Sequence, residues 1–215
     1  MRQDKIVIVD YRMGNLFNLQ RAITFLGYSA EITSDPAVIR RADRILLPGV
    51  GAFEKAMQEL DRADLIGVLK ESVDQGKMML GICLGMQLLF TKSFEFGEHR
   101  GLDFIRGQVV RFHRSESEIT ELKIPQIGWN SVEKPSAGPA WEKGILASVS
   151  PGTYFYFVHS FVCCPEEPAA VVAETQYGKD RFCSVTHRGN LWGCQFHPER
   201  SGEHGLSLLK SFIEL

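Results

Sequence analysis

The first half of the chain alternates β-rich apolar runs with stretches of helical periodicity, and that alternation constrains the fold more than any other feature. Lys5–Asp10 (KIVIVD) is a strand, followed by a turn at Arg12–Asn15. Asn15 stands where a helix N-cap belongs, Leu16, Leu19, Ile23 and Leu26 follow at helical spacing, and Gly27 closes the helix. A strand at Tyr28–Thr33 and a short helix from Pro36 come next. Arg44–Leu47 is a buried strand ending in Pro48-Gly49-Val50-Gly51, and a long helical stretch, broken near Asp61–Asp64, runs to Gln75. Lys77–Ile82 is the next strand and Leu84–Thr91 the next helix. Parallel strands need crossover helices, so this order predicts a parallel sheet covered on both faces.

The second half is rich in strands instead. Runs at Gln108–Phe112, Tyr154–Val162, Ala170–Thr175, Phe182–His187 and Leu191–Gln195 are separated by turns containing Gly and Pro. An amphipathic helix over Glu203–Glu214 packs through Leu206, Leu209, Phe212 and Ile213, and the polar segment 113–123 reads as a surface loop. No repeat or linker divides the chain, so the expectation is one α/β domain over residues 1–215, with a mixed or antiparallel extension. Lys and Arg number 24 against 26 Asp and Glu. That balance argues against a nucleic-acid groove or a polybasic membrane patch. No apolar run approaches the roughly 20 residues of a bilayer span, and the amino end carries no h-region. A cytoplasmic protein with reduced thiols is expected. Five cysteines stand at 83, 163, 164, 183 and 194 without a CxxC pair. Four read as structural thiols.

Cys83 is different because of its surroundings. Gly81-Ile82-Cys83-Leu84-Gly85 lies after a strand and before a helix, the G-x-nucleophile-x-G pattern of a nucleophile elbow. A sharp turn there lifts the sulfur above the sheet edge, and glycines at 81 and 85 leave room for neighbouring backbone. The helix N-terminus favours thiolate, and the Leu84 N–H points where an oxyanion would form. A thiolate that attacks an amide needs a base. His197 is the candidate among six histidines (His99, His113, His159, His187, His197, His204), because Pro198 biases it toward extended backbone. In an extended segment, residues i and i+2 face the same way, which would set Glu199 beside His197 as its orienter. Read alone, the elbow also suits a buried cysteine, and His-Pro-Glu a surface turn. A metal site from Cys194, His197, Glu199 and His204 is not expected, because Cys194 and His197 would face opposite sides of a strand. Gly49-x-Gly51 opens like a dinucleotide fingerprint, but Glu54 takes the third glycine position and the fingerprint fails. That loop suits a second oxyanion donor or a plain strand–helix turn.

Together, PGVG at 48–51, GICLGMQ at 81–87 and HPE at 197–199 resemble the class I (triad) glutamine amidotransferases. Tyr11–Leu16 (YRMGNL), Pro125–Asn130 (PQIGWN) and Tyr156–Phe161 (YFVHSF) are similar to the glutaminase subunits of imidazole glycerol phosphate synthases. The likeness runs from the first strand to the last helix. It implies a flavodoxin-like domain, with a central mostly parallel sheet, helices on both faces and a strand-rich second half. It implies hydrolysis of L-glutamine to glutamate and ammonia without a cofactor. Cys83 would be nucleophile, His197 base and general acid, and Glu199 orienter. Leu84 and the Gly49, Val50 and Gly51 loop would hold the oxyanion. Gln87, with the backbone of Ser160 and Phe161, would hold glutamine.

The resemblance also implies a heterodimer with a (β/α)8-barrel cyclase, which takes the ammonia through a tunnel to make imidazole glycerol phosphate and AICAR in histidine biosynthesis. The barrel needs about 250 residues, more than this chain has left over. Asn15, Trp129 and Arg200 would lie near the partner, whose ligand would switch on the glutaminase by reorienting the Gly49–Gly51 loop. Three residues depart from the family's usual pattern: Arg12 for glycine, Gln126 for histidine and Phe161 for tyrosine. They touch no triad member but leave partner detail open. Two other readings stay open: a paralogue supplying ammonia to a sugar-nucleotide amidotransferase in surface-polysaccharide synthesis, and a stand-alone cysteine hydrolase.

Overall fold

A computed structural model describes residues 4–112, 123–136 and 138–215. The polar segment expected as a surface loop, with His113, lies outside the described residues apart from Lys123. Strand β1 (Ile6–Val9) is buried along its whole length. Its alternate residues enter two separate cores: Ile6 and Ile8 join one, Val7 and Val9 the other. That split is what a strand covered on both faces requires. It repeats in β3 (Arg44–Gly49), where Leu46 faces one core and Ile45 and Leu47 the other.

With β2 (Ala30–Thr33), β4 (Met78–Cys83) and β13 (Leu191–Cys194), these strands form a parallel core in the order β2-β1-β3-β4-β13. One face is covered by α1 (Leu16–Phe25) and α6 (Gly202–Glu214). The other is covered by α2 (Pro36–Ile39), α3 (Phe53–Arg62), α4 (Leu65–Asp74) and the short α5 (Leu84–Leu88). The expected break between the two middle helices is real: Asp64 takes a left-handed conformation there, with φ 54°.

Beyond β13 the pairings become antiparallel, through β12 (Asp180–Arg188), β10 (Phe161–Pro165) and β7 (Ile105–Arg111), while β11 (Val171–Tyr177) pairs with β12. Past β7 the sheet adds β5 (Phe90–Ser93), which runs parallel to β7, and ends in the antiparallel β6 (His99–Arg100). A separate antiparallel ribbon joins β8 (Gln126–Val132) to β9 (Thr153–His159). Phe155 and Phe157 on its inner face are fully buried, and Phe155 stacks on Phe196 at 4.1 Å.

Three sequence expectations change. The helix after Cys83 stops at Leu88, and Phe90 begins a strand paired with Ile105. Leu88, Leu89 and Phe90 are all fully buried, so apolar spacing carries no helix-versus-strand information there. The run Tyr154–Val162 is two strands in two different sheets, broken at Ser160, with His159 paired to Gln126 and Phe161 to Arg111. Cys164 is exposed, unlike the buried Cys163, Cys183 and Cys194, so only three of the four other thiols are core residues. Among the described residues no helix is long and apolar enough to cross a membrane.

Candidate active site

Cys83 ends β4 with φ 55° and ψ −112°, a conformation that non-glycine residues rarely hold. Its flanking glycines are sterically required. A Cβ on Gly85 would run into the Leu47 carbonyl of β3, and one on Gly81 would meet the backbone of Gly85 and Met86. The turn therefore lifts the Cys83 side chain out of the sheet into a cavity of about 320 Å³, with Leu84 opening α5 directly behind it. The first N–H groups of a helix have no partner within it.

His197 and Glu199 line the same cavity. Their side chains are almost fully buried, and His197 Nδ1 lies 2.9 Å from Glu199 Oε1. The route to this pairing differs from the expected extended segment. His197 is extended, but Pro198–Arg200 form a 3-10 turn that folds Glu199 back toward the ring. The turn is fastened to β9: His197 N–H donates to the Tyr156 carbonyl at 2.9 Å, and Ser201 Oγ accepts from Tyr156 N–H at 3.0 Å. Burial opposes a charge on His197. Hydrogen bonds to Cys83 and Glu199, with the negative charge each carries when ionised, outweigh it and push the imidazole up to about 10. The site thus favours an imidazolium beside sulfur.

His159 lines the cavity too, with the opposite balance. Burial among Phe112, Phe157 and Phe182 pulls it down to about 4, so it is neutral and unsuited to the base's role. Among the described residues no cluster of three His, Cys, Asp or Glu is arranged to hold a metal ion.

The loop after β3 lies across from Cys83. Val50 and Gly51 line the cavity, but the Val50 N–H is engaged, donating to the Met13 carbonyl at 3.2 Å. In this state it is not free to serve an oxyanion. The loop rests on Tyr11, whose buried O–H donates to the Pro48 carbonyl at 2.8 Å. Gln87 presents both amide hydrogens away from solvent, to the Phe161 carbonyl at 3.2 Å and to Gln195 Oε1 at 3.1 Å. Ser160 and Phe161 form the opposite wall.

Sequence reasoning missed Glu95, which lines the cavity while its Oε2 accepts the Phe53 N–H at 2.6 Å, at the start of α3. It also missed Tyr11 as a prop and Gln195, whose Nε2 lies 3.7 Å from the Cys83 sulfur. Asn15 occupies the N-cap position of α1, but its side chain makes no capping bond; it borders the cavity instead.

Arg200 also borders the cavity, and its guanidinium lies 4.4 Å over the Tyr156 ring. Tyr156 meets Trp129 edge-on at 6.1 Å across the outer face of the β8–β9 ribbon. Trp129, Ile127 and Tyr154 all stand more than half exposed on that ribbon. Of the three departures, Arg12 holds φ 67°, Gln126 is buried opposite His159, and Phe161 lines the cavity with Phe96 beside it at 6.4 Å.

The profile of the family described as Glutamine amidotransferase class-I matches residues 7–215. Imidazole glycerol phosphate synthase subunit HisH of Syntrophotalea carbinolica is 45% identical over 211 residues, covering 98% of this chain and all of that one. The protein of the same name from Rhodopirellula baltica is 46% identical over 207 residues, 96% of each chain. Among solved structures, a glutamine amidotransferase superposes with TM-score 0.72 at 16% identity, covering 97% of each chain. PurLQS from Thermotoga maritima superposes with TM-score 0.66 at 18% identity, covering 99% of each. These structural likenesses bear on the fold.

Proposed function

The chain belongs to the class I glutamine amidotransferase family, and from that premise we propose that it is the glutaminase subunit of an imidazole glycerol phosphate synthase. It hydrolyses L-glutamine to glutamate and ammonia in histidine biosynthesis. The observation that carries the chemistry is one cavity holding Cys83 at a strained elbow and a buried His197–Glu199 pair. Relatives 42–46% identical over nearly the whole chain, all named for this synthase subunit, support the pathway over a sugar-nucleotide or peptidase role.

Each residue has a task in the cycle. The Cys83 thiolate attacks the side-chain carboxamide carbon, and the carbonyl oxygen takes up the negative charge. Leu84 N–H, at the free end of α5, faces that charge. The C–N bond breaks as His197 gives its proton to the departing nitrogen, which leaves as ammonia. The neutral imidazole then takes a proton from water, hydroxide adds to the thioester, and the C–S bond breaks to free glutamate and restore the thiolate. Glu199 keeps the ring's Nδ1 proton in place throughout. Glu95 offers a carboxylate to the substrate's α-ammonium, and the Phe161 wall confines its carbon chain.

The partner is a cyclase subunit, of (β/α)8-barrel type, bound as a heterodimer over Asn15, Trp129 and Arg200. The exposed Trp129, reached from the cavity-lining Arg200 through Tyr156, supports that placement, because exposed aromatics anchor interfaces. The Val50 N–H held by Met13 supports control by the partner. Docking near Asn15 would shift the turn that carries Met13, release Val50 and complete the oxyanion site. The enzyme is cytoplasmic and works as a single domain. Replacing Cys83 with Ala should abolish glutamine-dependent synthesis by the complex while leaving synthesis from added ammonium intact. Glutamine-driven synthesis at the normal rate in that variant would overturn the assignment.

A further inference from the structure

One buried polar group touches the nucleophile and has no part in the cycle just described. Gln195 is fully buried and follows β13 directly. Ile82 of β4 pairs with Cys194 of β13, so one step further along both strands sets Gln195 beside Cys83. An apolar side chain of similar size would fill that space equally well. What an amide adds is polarity, and the two ends of a carboxamide are opposite. Which end faces the sulfur decides its effect.

The surroundings settle the orientation. The Phe161 carbonyl can only accept, so the Gln87 atom 3.2 Å from it must be Nε2. The second hydrogen on that nitrogen points to Gln195 at 3.1 Å, where only Oε1 can receive it. With its oxygen committed, Gln195 turns Nε2–H toward Cys83 Sγ at 3.7 Å. The same Phe161 carbonyl accepts from His159 Nδ1 at 2.9 Å, which fixes that ring's tautomer and holds the carbonyl from a second side. The polarity of one backbone carbonyl is therefore passed through two side-chain amides to the nucleophilic sulfur. Every member of the chain is buried or nearly so, where a charge-assisted hydrogen bond counts for more than in water.

We propose that Gln195 is a further catalytic residue, whose Nε2–H stabilises negative charge on the Cys83 sulfur and whose orientation is set by Gln87. The contact moves no proton: the amide keeps both hydrogens, and no bond forms or breaks at it. It acts twice in the cycle, on the resting thiolate before attack and on the thiolate expelled when the thioester opens. Only this second consequence rests on the glutaminase reading; the contact with sulfur does not.

The test is alkylation of the full-length chain by iodoacetamide at pH 7, followed peptide by peptide by mass spectrometry in Gln195→Glu and Gln195→Met. Loss of one hydrogen bond to a charged group slows Cys83 labelling about tenfold. Labelling of the exposed Cys164 stays unchanged within the same sample and reports a merely structural disturbance. In alkaline solution, where thiols ionise regardless, the deficit closes. Gln87→Leu, which frees the Gln195 amide to turn, gives a smaller loss. Should Gln195→Glu fail to fold, the uncharged and near-isosteric Gln195→Met decides by the same measurement. Wild-type labelling of Cys83 in a folded Gln195→Met protein would overturn the proposal. Glutamine turnover of the unsubstituted chain with the cyclase and its ligand, measured alongside, separates the two ideas: slowed labelling in the variants, with no glutamine consumed even by that complex, would remove the glutaminase reading and leave this one standing.

Discussion

His197 sits where burial alone would strip away its charge, yet hydrogen bonds to Cys83 and Glu199 hold the proton on. Its pKa rises from the ordinary 6.5 to about 10. A group with a raised folded-state pKa contributes stability that is complete below its unfolded value and fades as pH climbs through the folded value. The melting temperature should therefore decline between about pH 6.5 and 10, and in His197→Asn that portion of the slope should vanish; an unchanged slope would mean that the ring is neutral in the fold. Glu199→Gln keeps a hydrogen-bonding oxygen but removes the charge that orients the ring, and should cost about a thousandfold in kcat, read by glutamate release in the complex. Glu95→Gln should act on the other kinetic constant, raising the KM for glutamine with kcat nearly unchanged, because it loses charge toward the α-ammonium and keeps an oxygen for the Phe53 N–H. Cys83, His197 and Glu199 were legible in sequence because each lies in a short motif with local geometry. Gln195 and Glu95 were not. Their significance comes from partners 112 and 42 residues away, which no local pattern records.

At the level of elements, the elbow between β4 and α5 works because β3 passes directly over it. Gly85→Ala would press a methyl group into backbone rather than into a side chain able to yield, so the strain must be taken by the sheet itself. A loss of about 3 kcal/mol is expected, seen as a lower urea midpoint, with glutaminase activity lost in the protein that remains folded. The parallel core was readable because period-two burial and intervening helices agree over many residues. The antiparallel half was readable as strands but not as pairings. Ser160 divides one continuous β-rich run between two sheets, and nothing in the run's own composition marks the division. The 3-10 turn at Pro198–Arg200 is a similar case: proline restricts the residue before it, but the turn is fixed by the bond of Ser201 to Tyr156 of β9, 45 residues earlier.

For the whole molecule, Arg200 borders the cavity and lies over Tyr156, which meets the exposed Trp129, so on the proposed reading catalysis and docking would share one face. Trp129 is 55% exposed and outside the core, so Trp129→Ala should fold normally. It should still weaken association with the cyclase by about 2 kcal/mol, measurable by titration calorimetry. Glutaminase activity of the isolated chain should be weak and should rise by orders of magnitude with the cyclase and its ligand; full activity without a partner would remove the Val50–Met13 contact as a restraint. The pairing of β4 with β13 carries a consequence of another kind. The proposed nucleophile is residue 83, but its proposed base and orienter and the amide beside its sulfur all arrive on residues 195–199. During synthesis on the ribosome the thiol is thus made long before anything that arms it. A chain arrested partway would carry the cysteine without the means to consume glutamine, and activity would begin only as the last strand slots into the middle of the sheet.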